Sequence, residues 1–581
     1  MYFYSAEKNV LQLISLLKAH GVKRIVVSPG ATNITFVASL QQDKYFELFS
    51  CVDERSAAYM ACGLAEESGE PVALSCTGAT ASRNYYPGLT EAYYRKLPIL
   101  AITSSRSIGQ IGQNIDQVTD RTQLANDIAV RSVYIPVPNN KSQEWENNIK
   151  INAALIDLKR HGGGPVHINL MTLYTNDFSV KELPQERVIR HYSYGNTFPL
   201  LKGSRIGVFV GAHKKWSDKQ TEIIDRFCKY YGAVVLYEPG SNYKGEYGVP
   251  YNLITWQKSG TSISPFDTLI HIGDVSVFVF SGSKEIWRVN RDGEIRDTFK
   301  KLTAVFEMEE EYFFGLYCSI WESKKRKDQY VNMYSLWNNR YEELIQKAEN
   351  IELPFSNLWV ANQSKKMLPK GAELHLGILN SVRSWTLQRI DHSNDVFCNT
   401  GGYGIDGGIS ALIGASLINT KKLYFGVFGD LAFFYDMNSL GNRHIGKNIR
   451  LMIINNGMGG EFKNYSNLAQ RAGLGEDANC YISAAGHYGN KSKDLIKGYV
   501  TALGFRYITA DDKETFKVNM DIFFATEITE SIVFEIFTND KLEADAIKMM
   551  QTLDMKNVDI AKQTFKQVIG DKNVRKIKKL L

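Results

Sequence analysis

The sequence is short of the features that mark an exported or membrane-bound chain. Among 581 residues there are seven cysteines, Cys51, Cys62, Cys76, Cys228, Cys318, Cys398 and Cys480. The count is odd and no two form a CxxC pair. These cysteines, mostly inside apolar runs, read as buried thiols of a cytoplasmic protein and not as a disulfide framework. No window reaches about 18 uninterrupted apolar residues, so no membrane span is expected. No basic leader precedes the first apolar stretch. In "MYFYSAEKNVLQLISLLKAHGVKR" the positions Val10, Leu13, Ile14 and Leu17 fall at helical spacing, which predicts an amphipathic helix and not a signal peptide. Charge of one sign is scarce too: 68 Lys and Arg stand against 62 Asp and Glu, a net +6. So mild an excess predicts no nucleic-acid partner. Part of it sits in "KNVRKIKKLL" at 572–581, which reads as a solvated helix or frayed tail. No short-period repeat is present.

What is there is an alternation of strands and helices. "RIVVSPGATN" is a β-branched run ending in Pro-Gly. "YFELFSCVDE" gives a strand, "RSAAYMACGLAEESG" a helix, "PVALSCTGATA" a strand and glycine turn, "SRNYYPGLTEAYYRK" a helix, and "LPILAITSSR" a strand. Strands alternating with helices at this spacing predict parallel sheets. The polar stretch Val180–Pro199 reads as a linker. A second unit, without a clear glycine fingerprint, follows through "RIGVFVGA", "AVVLYEPG", "TLIHIGDV" and "EIWRVNRDG". A third contains "KLYFGVFGD", "IRLMIINNGMGG" and "SIVFEIFT". The expected fold class is therefore α/β, with three doubly wound parallel-sheet domains at 1–180, 200–345 and 353–581.

Two places in this pattern carry chemistry. Asp430 ends one predicted strand, and Asn455 and Asn456 end the next. Asn456 follows Asp430 by 26 residues, one strand–helix–strand step. That step sets a carboxylate and an amide at the edge of a parallel sheet where α/β folds bind ligands. Both are hard oxygen donors of the kind Mg²⁺ takes, and Gly457, Gly459 and Gly460 permit close backbone approach to a diphosphate. A helix cap or a plain asparagine turn explains either piece alone; the combination favours a ligand site. In the first domain, Glu54 sits at a strand-to-helix junction. Asp53 serves the helix N-terminus, and the apolar helix behind Glu54 is expected to raise its pKa and make it a proton carrier near neutral pH.

These residues resemble a known family. "VDERSAAYMACGLAEESGEPVAL" with "CTGATASRNYYPGLTEAYYRKLPILAITSSR" is similar to the pyrimidine-binding domain of thiamine-diphosphate enzymes of the acetolactate-synthase-like superfamily. "GDL…NNG" is similar to their diphosphate motif. Gly-Asp-Leu in place of the commoner Gly-Asp-Gly, together with "GIDGGIS", most resembles the menaquinone-pathway synthase branch. The resemblance implies thiamine diphosphate and Mg²⁺ as cofactors. It implies that Glu54 bonds the aminopyrimidine and promotes deprotonation of the thiazolium. Asp430 and Asn456 would ligate the metal with the Met458 carbonyl. Gly429, Leu431, Gly457, Gly459 and Gly460 would cradle the diphosphate, and Ile405 would wedge the cofactor into its bent shape. Gln113 would face the reacting molecule, Arg106 would bind its carboxylate, and Ser28, Pro29 and Gly30 would form a substrate-side turn. It further implies a homodimer or homotetramer with the active site at the subunit interface, and a central domain with a structural role.

The chain also departs from that branch. Thr32 and Thr400 stand where the branch has arginines, and Glu461 follows "NNGMGG" where it has an apolar residue. Losing two cations weakens recognition of a dianion. The expected reaction is thus decarboxylation of a 2-oxo acid and addition of the acyl carbanion to an acceptor carbonyl, with a less acidic, hydroxyl-rich acceptor. The alternatives are simple 2-oxo acid decarboxylation and a non-catalytic cofactor-binding subunit. Nucleotide binding through "GGYGIDGG" lacks the acidic residue about 20 positions on. His161, His167 and His375 read first as structural histidines, and Asn380 or Ser381 as a helix cap.

Overall fold

The computed structural model describes residues 3–280, 282–324, 329–488 and 491–555. The basic segment 572–581 lies outside the described residues. The chain forms two compact units, Met1–Phe198 with Arg291–Glu307, and Pro199–Asn290 with Met308–Leu581.

The first unit is built on a parallel sheet of β1 (Arg24–Val27), β2 (Glu47–Ser50), β3 (Val72–Thr77), β4 (Ile99–Ser105), β5 (Arg131–Ile135) and β6 (Val166–Met171), in the order β2-β1-β3-β4-β6-β5. β3, β4 and β6 are buried along nearly their whole length. Helices cover both faces, which is why these strands read as continuous apolar runs without alternation. The helix Lys8–Ala19 puts Val10, Leu13, Ile14 and Leu17 into one cluster with Leu100, Ile102 and Ile168. The helix expected over Ser82–Lys96 is broken. It runs as Thr80–Asn84 and Tyr86–Arg95, with Pro87 in the first turn of the second piece. Proline has no N–H to continue the earlier helix, and its ring excludes the preceding turn. At the carboxyl edge, β1 leads into Ser28–Pro29–Gly30. A Cβ on Gly30 would stand 2.0 Å from Thr77 Cγ2, so only glycine lets the two turns meet. β7 (Arg190–Ser193) belongs to this unit as well.

In the second unit β8 (Ile206–Val210), β9 (Val234–Tyr237), β10 (Gly248–Pro250), β11 (Phe266–Ile272) and β12 (Ser283–Asn290) run in parallel, ordered β10-β9-β8-β11-β12. β13 (Leu302–Glu307), back in the first unit, pairs in parallel with β7. The third sheet comprises β14 (Glu373–Leu376), β15 (Asp395–Cys398), β16 (Tyr424–Gly429), β17 (Ile449–Asn455), β18 (Arg506–Ala510) and β19 (Ile532–Phe537), ordered β15-β14-β16-β17-β19-β18. Three parallel α/β sheets are therefore present, as the alternation predicts. Asn242 joins the second and third within this unit: its amide donates to the Val396 carbonyl at 2.9 Å and accepts the Val396 N–H at 2.7 Å. β15 and β16 lie on opposite sides of β14, so the chain reverses direction across the sheet between β14 and β16. That crevice at the carboxyl edge is where such sheets bind ligands.

All seven cysteines are free thiols. Cys62, Cys76, Cys228 and Cys318 are buried, but Cys480 is exposed, against the expectation of uniformly buried thiols. Among the described residues no helix is long and apolar enough to cross a membrane.

Candidate active site

Asp430 leaves the end of β16 and opens the helix Asp430–Asp436. It is 3% exposed. Burial pushes its carboxyl up to about 7, opposed by the backbone N–H groups of Leu431 and Gly457. Among the described residues no basic side chain offsets it. A buried carboxylate without a counter-charge is costly unless a cation joins it. One step along the sheet β17 ends in Asn455. Its side-chain Nδ2 donates to Glu535 Oε1 at 2.7 Å, and its side-chain Oδ1 accepts the Gly457 N–H at 3.1 Å. Asn456 Oδ1 accepts the Met458 N–H at 3.2 Å. Gly457 has φ +72°, the left-handed turn that glycine permits.

These groups converge on a cavity of about 220 Å³ at the β14–β16 crevice. Gly429, Asp430, Leu431, Asn456, Met458, Gly459 and Gly460 line it, and so does Ile405. Gly457 shapes the turn and is not part of the lining. Ile405 is half-buried, so it faces the cavity and is not an ordinary core residue. A Cβ on Gly460 would stand 2.6 Å from Asn456 Nδ2, while one on Gly429 would meet nothing within 4 Å. The cradle thus has room beside the carboxylate and none to spare beside the amide. Among the described residues no group of three His, Cys, Asp or Glu side chains is arranged to hold a metal. A cation at Asp430 would draw its other oxygens from the Asn456 amide, a main-chain carbonyl, water and phosphate, the donor set Mg²⁺ takes. The residues fit a diphosphate held through Mg²⁺.

Glu54, Arg106 and Gln113 belong to the first unit. Asp53 Oδ1 caps the helix Glu54–Ser68 by accepting the Ser56 N–H at 2.8 Å. Glu54 begins that helix, and its Oε2 accepts from Asn84 Nδ2 at 3.1 Å. Arg106 pairs with Asp116 at 3.5 Å and lies 5.6 Å from the Tyr174 ring centroid. Gln113 is exposed. Of the three substitutions noted in the sequence, only Glu461 lines the Asp430 cavity. Thr32 is buried and donates to the Ser104 carbonyl at 2.6 Å. Thr400 lines a different cavity, of about 270 Å³, with Glu238 and Cys398.

Other readings need correction. Asn380 and Ser381 do not cap the helix Asn380–Thr386; Leu379 holds that position with no side-chain bond, and both residues line the cavity instead. Leu379 has φ +66°, a conformation no leucine announces in sequence. Glu543 also lines the cavity. It is 2% exposed, burial raises its carboxyl to about 7, and Oε1 accepts the Asn357 N–H at 2.9 Å. Its sole sequence signal was an acid in the first turn of the last described helix. His375 is buried on β14, 3.2 Å from Glu373 Oε1, and stays outside the cavity. His167 is fully bonded, to Thr103 and Ser132, and burial holds it down to about 3.

Residues 10–124 match the model of the thiamine pyrophosphate enzyme, N-terminal TPP binding domain. The 2-succinyl-5-enolpyruvyl-6-hydroxy-3-cyclohexene-1-carboxylate synthase of Bacteroides fragilis is 31% identical over 583 aligned positions, spanning 94% of this chain and 98% of the relative. The chain belongs to this synthase family of thiamine-pyrophosphate-dependent enzymes. The synthase of the same name from Bacteroides thetaiotaomicron is 29% identical over 94% of this chain and 98% of its own length. A solved chain, the thiamine diphosphate-dependent 4-hydroxybenzoylformate decarboxylase of Rhodococcus jostii RHA1, superposes with a TM-score of 0.40 at 15% identity, covering 92% of this chain and 99% of that one.

Proposed function

We propose that this family member is a Mg²⁺-dependent carboligase that decarboxylates a 2-oxo acid and adds the acyl carbanion to an acceptor carbonyl. The observation that carries the reading is the Asp430 cavity: an uncompensated buried carboxylate, an amide and three glycines around one void at the sheet's switch point. Addition to an acceptor is supported by the relatives' name, which describes a synthase. When bound, thiamine diphosphate supplies a stabilised carbanion centre and an electron sink. The chain's own residues do the rest. Asp430, Asn456 and the Met458 carbonyl would hold Mg²⁺, and Gly429, Gly459 and Gly460 would admit the diphosphate. Ile405 and Leu431 would shape the cofactor's path and keep water from it. Glu54 would exchange a proton with the aminopyrimidine, with Asn84 fixing its carboxylate. Gln113 and Arg106 would orient the 2-oxo acid. In this reading two copies assemble so that Glu54 of one copy serves the Asp430 cavity of the other, and the enzyme works in the cytoplasm.

The test is to incubate the protein with thiamine diphosphate, Mg²⁺ and a panel of 2-oxo acids with and without aldehyde and ketone acceptors. CO₂ release and the coupled product are followed. Product that keeps both carbon skeletons supports carboligation, whereas free aldehyde alone supports simple decarboxylation. Silence across the panel with no calorimetric cofactor binding would sink the proposal.

A further inference from the structure

The wall of the Asp430 cavity contains a charged pair that metal and diphosphate binding leave unused. Glu461 lies in the turn Gly460–Lys463 and lines the cavity beside Asn380 and Phe462. Arg383, on the helix Asn380–Thr386, is outside the lining and stands behind both. Its Nη1 donates to Asn380 Oδ1 at 2.6 Å and to Glu461 Oε2. Asn464 Nδ2 donates to the same two oxygens, at 2.9 Å and 3.0 Å. Glu461 Oε1 keeps only a 3.5 Å contact with Asn467 Nδ2. The two charged side chains are 15% and 19% exposed, and Glu461 is the one carboxylate paired with Arg383 among the described residues. The Trp256 ring lies 5.9 Å from the guanidinium.

Two consequences follow from this arrangement. The cavity wall offers a carboxylate oxygen with free lone pairs, which can accept hydrogen bonds and donate none. Immediately behind it lies a guanidinium, the side chain best suited to grip a carboxylate in a partly buried site. Glu461 occupies that guanidinium and repels any second acid that approaches.

We infer that the Arg383–Glu461 pair determines the charge selectivity of the site. Arg383 is a carboxylate anchor masked by Glu461, so the site turns away a small molecule carrying a second carboxylate and receives one carrying hydroxyl donors at that position. Asn380 and Asn464 are positioning residues that hold the mask in register. The inference deepens the proposed function and rests on it, because it takes the Asp430 cavity as the place where the reacting molecules bind.

The experiment uses the full-length protein loaded with thiamine diphosphate and Mg²⁺. Affinities for pyruvate and for 2-oxoglutarate, which differ by a second carboxylate, are measured by calorimetry in wild type, Glu461→Gln, Glu461→Leu and the double variant Glu461→Gln/Arg383→Met. Cofactor binding is titrated first in wild type. If wild type binds no cofactor, the reading of the cavity is wrong and the inference falls with it. With cofactor bound, either Glu461 variant should move the preference toward 2-oxoglutarate by about tenfold or more, the range of one charge-assisted contact. The double variant should bring the ratio back to the wild-type value. Cofactor-loaded Glu461→Gln and Glu461→Leu proteins with a ratio within about twofold of wild type would overturn the inference while leaving the proposed function standing.

Discussion

The Asn455 amide donates to Glu535 Oε1 at 2.7 Å, inside the third sheet, while its neighbour Asn456 turns into the cavity that Asp430 lines. Adjacent residues at the end of an extended strand point to opposite sides. The first asparagine is therefore consumed in tying β17 to β19, and the second is left for a ligand. Glu535 needs that tie. It is wholly buried, with its carboxyl raised by burial, and it also accepts from Tyr507 at 2.8 Å.

Metal-dependent cofactor binding should depend far more on Asp430 and Asn456 than on Asn455, whose side-chain oxygen touches the site only by accepting the Gly457 N–H. Asp430→Ala and Asn456→Ala should each weaken binding of thiamine diphosphate in the presence of Mg²⁺ by more than about a hundredfold, as expected for direct ligands when outer-shell partners alone account for 10–100-fold. Asn455→Ala should act through stability, lowering the melting temperature because Glu535 loses a partner. Calorimetry and thermal melts separate the two effects.

Gly460→Ala tests the cradle. The new methyl would stand 2.6 Å from Asn456 Nδ2 and push the amide out of place. Cofactor affinity should drop about tenfold or more, as for other displaced ligand shells, with little change in melting temperature. Gly429→Ala meets no protein atom within 4 Å. Any affinity it loses would therefore come from contact with the bound diphosphate.

Glu54→Gln should separate binding from turnover. Gln keeps an oxygen for Asn84 Nδ2 but cannot exchange the proton. CO₂ release should fall by about 10²–10⁴-fold, the range of a lost general acid–base group, while the dissociation constant for cofactor changes far less. Full activity in this variant would remove Glu54 from the mechanism.

Glu238 provides a pH test of the fold. It is 1% exposed, and burial raises its carboxyl from 4.5 to about 7 against the Val277 and Phe278 N–H groups and the Tyr251 hydroxyl. The folded protein then holds a proton that the unfolded chain releases, so this group makes stability fall as pH rises from 4.5 through 7. Glu238→Gln should remove that slope. It should stabilise the protein at pH 8 by up to about 3 kcal/mol and leave it unchanged near pH 4. Denaturant unfolding of both proteins across this range checks the sign.

Much of the architecture was legible because a parallel strand covered on both faces must be an apolar run, and such runs alternate with helices throughout the chain. The Asp430–Asn456 spacing was legible because one crossover has a narrow length range. Less could be read where chain-distant groups meet. Thr32, Thr400 and Glu461 looked equivalent as replacements around one pocket, yet Thr32 is spent on the Ser104 carbonyl and Thr400 lines another cavity. Asn380 and Ser381 looked like caps because their residue types cap helices well, but the loop enters through Leu379 at φ +66°.

By itself the sequence determined the α/β class, the strand ends that bear Asp430 and the asparagines, and the glycines beside them. Local periodicity and turn chemistry are short-range, and they act through residues a few positions apart. Only the tertiary structure decided which asparagine faces the cavity, that Asp430 lacks a basic partner among the described residues, and that Arg383 meets Glu461 across 78 positions of chain. Those outcomes depend on the order of strands in the sheet and on which side chains burial leaves unpaired, and neither is written in the pattern of any single segment.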